Sequence, residues 1–213
     1  LMPIGRNFLE VVAPVKEGTA GGRYLERRSG DGGYMVITQA DSLETFRTVR
    51  QRALDNGVRI AHESNREDWN LCQLHPGDMK AAFLEIEADA HNDFNGHWHP
   101  VGGLGWEDKV KQDVTVDYLA VELQSPDPAE LSQLWSDVTG IAAELRGTDI
   151  VVPLNNVELR FVEATDGRGA GLGGLDVAVA DRDAILRAAK DRDCYVSDDR
   201  VDICGVRWNL RDE

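Results

Sequence analysis

The chain has 213 residues, enough for one large domain or two small ones, with a substantial core. Its formal net charge of −15 argues against binding to the phosphates of nucleic acid or to anionic membrane surfaces, and no run approaches the ~20 apolar residues of a membrane helix. No signal peptide is visible, and the three cysteines (Cys72, Cys194 and Cys204) are odd in number and widely spaced. We therefore expect a cytoplasmic protein without structural zinc.

Three apolar, strand-like runs each carry a glutamate in the same position. Residues 8–13 (FLEVVA) recur as residues 83–88 (FLEIEA) and, in degraded form, as residues 161–164 (FVEA). The three glutamates are Glu10, Glu85 and Glu163. A carboxylate on an apolar strand is costly unless it is paired, hydrogen-bonded or bound to a metal. The glutamates therefore either line a cleft or alternate onto a solvent-exposed face, and the sequence leaves both readings open.

A longer unit surrounds the second of these runs. A β-rich run at residues 34–38 is followed by a predicted helix over residues 41–56, whose apolar residues share one face. Asp41 is a candidate cap for the start of this helix, and Gly57 suits its end. Short strand candidates follow at residues 58–62, 69–74 and 82–87.

The same order of elements returns twice in the second half of the chain. The predicted helices lie near residues 128–139 and 182–192, and we expect Phe46, Leu134, Trp135 and Leu186 to be among the most buried side chains. The predicted strands of these units are residues 118–121, 142–146, 149–153 and 157–164, then 175–179, 194–197, 201–204 and 206–210. The pattern predicts an α+β protein of tandem β-α-β-β-β modules, with curved, mixed but mostly antiparallel sheets and helices on their outer faces.

These repeats suggest a division into two halves. Residues 1–88 form an N-terminal half with a truncated first module and a second module at 31–88, residues 89–113 are a connecting loop, and residues 114–213 hold two further modules. Residues 2–13 look like the last two strands of the truncated module. Their sheet would have an unpaired edge, so we expect a homo-oligomer that covers it.

All five histidines lie between residues 62 and 99, and the C-terminal half has none. Imidazole commonly joins carboxylates in metal sites. His97 and His99 would point to the same side of an extended segment, although a surface or packing loop explains them as well. Residues 169–174 (GAGLGG) match a dinucleotide-binding pattern, but a strand-like run follows where the motif needs a helix. We interpret that segment as a flexible linker between modules.

The tandem β-α-β-β-β units resemble proteins of the vicinal-oxygen-chelate superfamily, which includes glyoxalase I, methylmalonyl-CoA epimerase, bleomycin-resistance proteins and extradiol dioxygenases. The resemblance covers nearly the whole chain and is sharper in residues 2–88 than in residues 114–211. Residues 74–78 (LHPGD) and 82–86 (AFLEI) look like the end of an epimerase-type module, where a His-Pro loop leads into a strand with a metal-binding glutamate. Residues 2–5 before residues 8–10 look like the corresponding end of a preceding module.

The resemblance implies a cleft between paired modules and a divalent metal ion (Zn, Ni, Mn, Co or Fe) that binds a small oxygen-rich ligand. It implies a metal-assisted lyase, isomerase or epimerase, with a non-catalytic small-molecule binding or sequestering protein of the same fold as the alternative. Glu87 shares a strand face with Glu85 and could replace it. The family's first-strand histidine is missing from all three first-strand segments. The candidate metal ligands are Glu10, Glu85, His75, His97 and His99.

Overall fold

The structure is a computed structural model that describes residues 1–92 and 105–212. Its helices are α1 (Ala20–Arg28), α2 (Leu43–Asp55), α3 (Pro128–Thr139) and α4 (Arg182–Lys190), and Trp106–Lys109 forms a 3-10 turn. Its strands are β1 (Met2–Ile4), β2 (Asn7–Leu9), β3 (Met35–Gln39), β4 (Ile60–Asn65), β5 (Trp69–Leu74), β6 (Phe83–Asp89), β7 (Thr115–Ser125), β8 (Glu144–Arg146), β9 (Asp149–Pro153), β10 (Glu158–Glu163), β11 (Gly171–Val179), β12 (Tyr195–Ser197), β13 (Arg200–Ile203) and β14 (Val206–Asp212). No helix of the described chain is long and apolar enough to cross a membrane.

Three β-α-β-β-β units build two sheets, which confirms the predicted fold class. Within each unit the first strand pairs in parallel with the last strand, and the other neighbours are antiparallel. The unit that starts at β3 forms a four-stranded sheet in the order β3-β6-β5-β4. The other two units join through the antiparallel pair β7 and β11 into one eight-stranded sheet. The division of the chain into two halves stays a prediction.

Side-chain caps define where the helices begin. The Ser42 hydroxyl accepts from the Thr45 amide, so Ser42 caps α2 in place of the predicted Asp41. Asp127 caps α3 and Asp181 caps α4 in the same way. Gly140 ends α3 in the left-handed conformation, which a glycine adopts without steric cost.

One hydrophobic core joins the units. Phe46, Trp135 and Leu186 are buried as predicted, whereas Leu134 is only partly buried. The Trp135 indole N–H donates to the Met79 carbonyl oxygen over 3.0 Å, and α2 packs against α3. These two helices therefore lie between the two sheets, and the prediction of helices on the outside is wrong for them.

The N-terminal segment departs most from the sequence prediction. β1 and β2 form a separate hairpin, and residues 11–13 are not a strand. The hairpin contacts the C-terminal half, because the Asn7 side-chain amide donates to Asp117 over 2.8 Å and Phe8 packs edge-on against Trp106. Helix α1 was not predicted, since it has no buried side chain and hence no apolar stripe. The flexible linker predicted at residues 169–174 is also wrong, because β11 begins at Gly171.

Candidate functional site

Alternation along β6 places two glutamates on the sheet face opposite α2. Leu84 and Ile86 belong to the hydrophobic core, whereas Glu85 and Glu87 point the other way and are nevertheless each only 5% exposed. On the neighbouring strands Gln73 lies beside Glu85, and Gln39 lies beside Glu87. We call these four residues the N-terminal acidic cluster.

No cation from residues 1–92 or 105–212 pairs with the carboxylates of the acidic cluster. The Gln73 amide donates to Glu85 Oε2 over 2.5 Å, and no ion pair reaches Glu85 or Glu87 from the described residues. Burial, and then a hydrogen bond and repulsion from the Glu85 carboxylate, raise the pKa of Glu87 to about 9. A hydrogen bond from Trp69 opposes this rise in the Glu87 pKa without cancelling it. The pair therefore holds a proton at neutral pH.

Several buried polar atoms beside the cluster lack a hydrogen-bond partner among the described residues. They are both side-chain atoms of Gln39, its Oε1 and Nε2, and one carboxylate oxygen of Asp89. The other Asp89 oxygen accepts from the His91 amide over 2.9 Å. Buried polar atoms in native proteins are almost always satisfied by protein, water or ligand. This face of the sheet therefore offers a polar ligand both a donor and acceptors.

The structure does not bring the described predicted ligands Glu10, His75 and Glu85 together around one metal position. The prediction that Glu10 lies on a strand is wrong, because β2 ends at Leu9 and Glu10 is exposed. His75 follows β5, where its Nδ1 accepts from the Gly77 amide over 3.1 Å and approaches Arg59. This bonding makes His75 part of the turn before β6. The predicted ligands His97 and His99 lie outside the described residues.

Glu163 is not the structural counterpart of Glu85. Leu159 and Phe161 of β10 lie in the core, so Glu163 is on the helix side of its sheet and exposed at the strand end. In the strand pairing, the residue equivalent to Glu85 is Arg160. Arg160 of the last strand β10 lies beside Glu122 of β7, just as Glu85 of the last strand β6 lies beside Ile37 of β3. The letter repeat aligns Glu163 with Glu85, whereas strand pairing aligns Arg160 with Glu85. Because Glu163 and Arg160 are separated by an odd number of positions, their side chains lie on opposite faces of the sheet.

The equivalent face of the eight-stranded sheet carries a buried ion-pair network. Arg160 Nη2 donates to Glu122 over 2.8 Å and to Asp176 over 2.5 Å. Arg207 Nε donates to the other oxygen of Glu122 over 2.8 Å, and the Asn209 amide donates to Asp176 over 2.8 Å. Glu122 and Asp176 are only 6% and 8% exposed. Arg211 also donates to Asp176, over 3.3 Å, so three guanidinium groups neutralise two carboxylates across β14, β11, β7 and β10.

Two glycines of β11 make room for this network. A Cβ atom at Gly173 would lie 2.3 Å from Arg207 Nη2, and one at Gly174 would lie 2.9 Å from Glu122 Oε1. Gly174 stands between Glu122 and Arg207 in the strand register, so only a residue without a side chain lets their charged groups meet above it. The glycine-rich segment is therefore part of the network.

Sequence reasoning missed the network, although the criterion that found Glu85 also fits its acids. Glu122 and Asp176 are carboxylates on otherwise apolar strands, in the runs at residues 119–123 and 175–179. Arg160 and Arg207 carry no comparable local signal, because their role follows from pairing between distant strands. Gln39 and Gln73 are polar residues of ordinary strands and gave no signal either.

The described residues do not by themselves fit a divalent metal ion. Within residues 1–92 and 105–212, no three or more histidine, cysteine, aspartate or glutamate side chains converge to hold one. In the network, the carboxylate oxygens already accept hydrogen bonds from guanidinium groups. In the acidic cluster, only Glu85 and Glu87 lie side by side. The thiol of Cys72 is no substitute ligand, because Cys72 lies beside Ile86 on the core face of the sheet, away from Glu85 and Glu87.

Solved structures share this arrangement of units. No family model and no curated protein sequence matches the chain. A hypothetical protein from Staphylococcus aureus matches 92% of this chain and 71% of its own, with 10% identity and a TM-score of 0.56. The Mn(II)-bound glyoxalase from Novosphingobium aromaticivorans matches 84% of this chain and 62% of its own, with 13% identity and a TM-score of 0.53. The 2,2′,3-trihydroxybiphenyl 1,2-dioxygenase from Sphingomonas wittichii matches 84% and 70%, with 12% identity and a TM-score of 0.52.

The chain has a glyoxalase-like fold, which it shares with this glyoxalase and this dioxygenase. At these identities the likeness establishes the glyoxalase-like fold and not the reaction. The chain spans 62–71% of the length of these three structures, so parts of them have no counterpart here. Within this glyoxalase-like fold, the ion-pair network and the acidic cluster occupy equivalent faces of the two sheets.

The network makes a testable contribution to stability. Replacing Arg160 with Met should lower the free energy of unfolding by about 1.5–3 kcal/mol, because Glu122 and Asp176 lose a shared buried donor while Arg207 and Arg211 still contact them. The matched control is Arg200→Met, which removes a half-exposed pair with Asp202 on the same sheet and should cost at most about 1 kcal/mol. Urea titrations of both variants measure this, and equal losses would contradict the buried network.

The raised pKa of Glu87 predicts a dependence of stability on pH. Between its ordinary pKa of 4.5 and about 9, the folded protein holds a proton that the unfolded chain has released. Stability should therefore fall as pH rises through this window, by up to about 1.4 kcal/mol per pH unit. The Glu87→Gln variant should flatten the profile, whereas Glu163→Gln should not. Urea unfolding across this pH window tests it, and parallel profiles for Glu87→Gln and wild type would refute the shared proton.

Proposed function

We propose that the protein binds a small oxygen-rich molecule on the N-terminal acidic cluster and moves a proton on it, as an isomerase, epimerase or lyase. The observation that carries the proposal is the pair Glu85 and Glu87, two buried carboxylates that hold a proton at neutral pH. A carbon next to a carbonyl group is the usual site from which such an enzyme takes a proton.

The two glutamates are suited to different roles. Glu85 is the proposed base, since its Oε2 is oriented by the Gln73 amide and its charge is what helps to keep Glu87 protonated. Glu87 is the proposed acid, because a carboxyl group with a raised pKa can return a proton at neutral pH. The amide of Gln39, beside Glu87 and without a partner among the described residues, would orient an oxygen of the ligand.

The pairing of the carboxylates also favours the four-stranded sheet over the eight-stranded sheet as the place of the proposed proton transfer. A carboxylate that is paired with a guanidinium group is a poor base, because the pair stabilises its charged form. Glu122 and Asp176 are paired in this way, whereas Glu85 and Glu87 have no cation among the described residues. Glu163 has neither burial nor an acidic neighbour on its face.

The alternative proposal is a non-catalytic protein that binds or sequesters a small molecule. It is favoured by the network, which fills one polar face with ion pairs, and by the lack of three converging metal ligands among the described residues. A divalent metal ion on Glu85, with His97 and His99, also stays a proposal. Elemental analysis of the purified protein measures it directly, and the proton transfer proposed above requires no metal step.

The catalytic proposal is tested by exchange of carbon-bound hydrogen. Wild-type protein should speed the incorporation of deuterium from D2O next to the carbonyl group of small hydroxyketones such as dihydroxyacetone, followed by proton NMR. Glu85→Gln should lower the rate by about 10²–10⁴-fold, which is the usual contribution of a positioned base. The control Glu163→Gln, an exposed glutamate of the other sheet, should keep the wild-type rate.

Two outcomes separate the alternatives. Ligand binding by saturation-transfer NMR without any exchange would favour the binding protein and contradict the enzyme. Equal rates for wild type, Glu85→Gln and Glu163→Gln would contradict the placement of the site. Circular dichroism of each variant checks that the fold is retained.

We also propose that the protein forms a homo-oligomer through the edge of β3, which, beyond the bridge between Gly33 and Leu172 just before it, pairs with no second strand of the described chain. In the eight-stranded sheet the first strands β7 and β11 pair with each other, whereas β3 pairs only with β6 among the described strands. Unpaired strand edges invite another chain. Light scattering should give a multiple of the 23.5 kDa chain mass. A wild-type mass of one chain would contradict the proposal.

A further inference from the structure

Arg28, at the end of α1, is held by one edge of its guanidinium group only. Its Nη1 donates to the carbonyl oxygens of Arg168 over 3.1 Å and of Ala170 over 2.8 Å. Its Nε and Nη2 are inaccessible to water, and no acceptor of the described residues is in hydrogen-bond geometry with either atom. The Nε–Nη2 edge, which we call the Arg28 fork, is therefore buried without a carboxylate partner, and the Tyr24 hydroxyl is the polar group that interacts with Arg28 from within the same helix.

An unpaired fork is energetically anomalous. A guanidinium group stays protonated at any physiological pH, so Arg28 cannot relieve its burial by losing a proton. A buried donor without an acceptor costs about 1–3 kcal/mol, and a charged one costs more. The same edge holds a carboxylate elsewhere in the chain, where Arg50 binds Glu63 and Arg182 binds Asp212 through Nε and Nη2.

The surroundings of the fork are positive, although the chain as a whole carries −15. Arg27, Arg28 and Arg168 act on Tyr24 and lower its pKa against the larger effect of burial, which raises it. Within residues 1–92 and 105–212, no carboxylate forms an ion pair with any of these three arginines. A concentration of unpaired cations in an acidic protein attracts small anions.

Glycines leave space around both guanidinium groups. A Cβ atom at Gly171 would lie 2.6 Å from Arg28 Nη1 and 2.9 Å from Arg28 Nη2. A Cβ atom at Gly32 would lie 3.1 Å from Arg168 Nη2 and 2.6 Å from the Tyr24 hydroxyl. The start of the glycine-rich segment thus accommodates Arg28, just as its end accommodates Arg207.

Helix α1 can give access to the fork. None of its side chains is fully buried, and it has nine residues. Its described attachments include the Arg28 bonds and the Tyr24 hydroxyl, which donates to the Gly33 carbonyl oxygen over 2.6 Å. A helix with so little burial opens at low cost.

We propose that the Arg28 fork is the binding site of an oxyanion, a carboxylate or a phosphate group. Arg168, whose guanidinium group donates to the carbonyl oxygens of Gly205 and Asp31, contributes its positive charge nearby and no free donor pair. The planar fork matches two oxygens of either group, with two parallel hydrogen bonds. The site lies between α1 and the start of β11, on residues that the acidic cluster does not use, and it is independent of the proposed proton transfer.

The test is calorimetric titration of the wild-type protein with inorganic phosphate and with acetate, at an ionic strength fixed with sodium chloride. We expect saturable binding of at least one anion, and at least a tenfold loss of affinity in Arg28→Met. Arg28→Lys keeps the charge but loses the fork, and should also bind at least fivefold more weakly. The matched control is Arg23→Met on the same helix, whose guanidinium group bonds the Gly18 carbonyl oxygen and should change affinity less than threefold.

A variant in which helix α1 does not form would bind weakly for a trivial reason. NMR of the arginine Nε–H groups in the wild-type protein tests the proposal without any variant. The Arg28 signal should shift with phosphate or acetate and not with chloride. The proposal is overturned if neither anion binds, if Arg28→Met binds as the folded wild type does, or if the Arg28 signal stays unmoved.

Discussion

Burying carboxylates on a sheet is the constraint on which both halves of this structure depend. Each sheet carries acidic side chains on the face away from its core helix, and each makes those side chains nearly inaccessible. A buried carboxylate must be paired, hydrogen-bonded or protonated. The eight-stranded sheet pairs Glu122 and Asp176 with Arg160 and Arg207, whereas the four-stranded sheet keeps a proton on Glu87.

The difference between the two solutions comes from single positions in equivalent units. Arg160 stands where the first unit has Glu85, and Glu122 stands where that unit has Ile37. Opposite charges therefore face each other in one sheet, and a glutamate faces an apolar side chain in the other. The network also needs Gly173 and Gly174, because the guanidinium group of Arg207 reaches Glu122 across the backbone of β11.

Much of the fold was predictable because its signals are local. β5 and β9 have the predicted bounds, since alternating apolar residues and flanking turns define a strand within a few positions. An apolar stripe and a capping side chain predict each of the helices α2, α3 and α4. Helix α1 gives no such signal, because its residues are exposed or only partly buried. The predicted strand was shorter than β11, because glycines usually interrupt strands. In β11 the packing requires them.

The candidate site was less predictable, because its members meet through pairing between distant strands. Glu85 was found from its apolar surroundings, and Glu87 from its place two residues further along. The partners Gln39 and Gln73 come from other strands, and nothing local marks them. The letter repeat that placed Glu10 and Glu163 beside Glu85 failed because likeness of letters does not fix which face of a strand a residue takes. Strand register fixes it, and register is a property of the folded sheet.

These equivalences bear on where chemistry can occur in a duplicated fold. In the network every carboxylate oxygen that faces inward already accepts from a cation, so a ligand would have to break buried ion pairs to enter, at a cost of several kcal/mol. The acidic cluster has the opposite property, since its carboxylates hold a proton that can leave and its neighbour Gln39 has unused hydrogen-bonding atoms. The ion pairs thus occupy the carboxylate oxygens of one sheet, whereas the shared proton of the other sheet is what the proposed proton transfer requires.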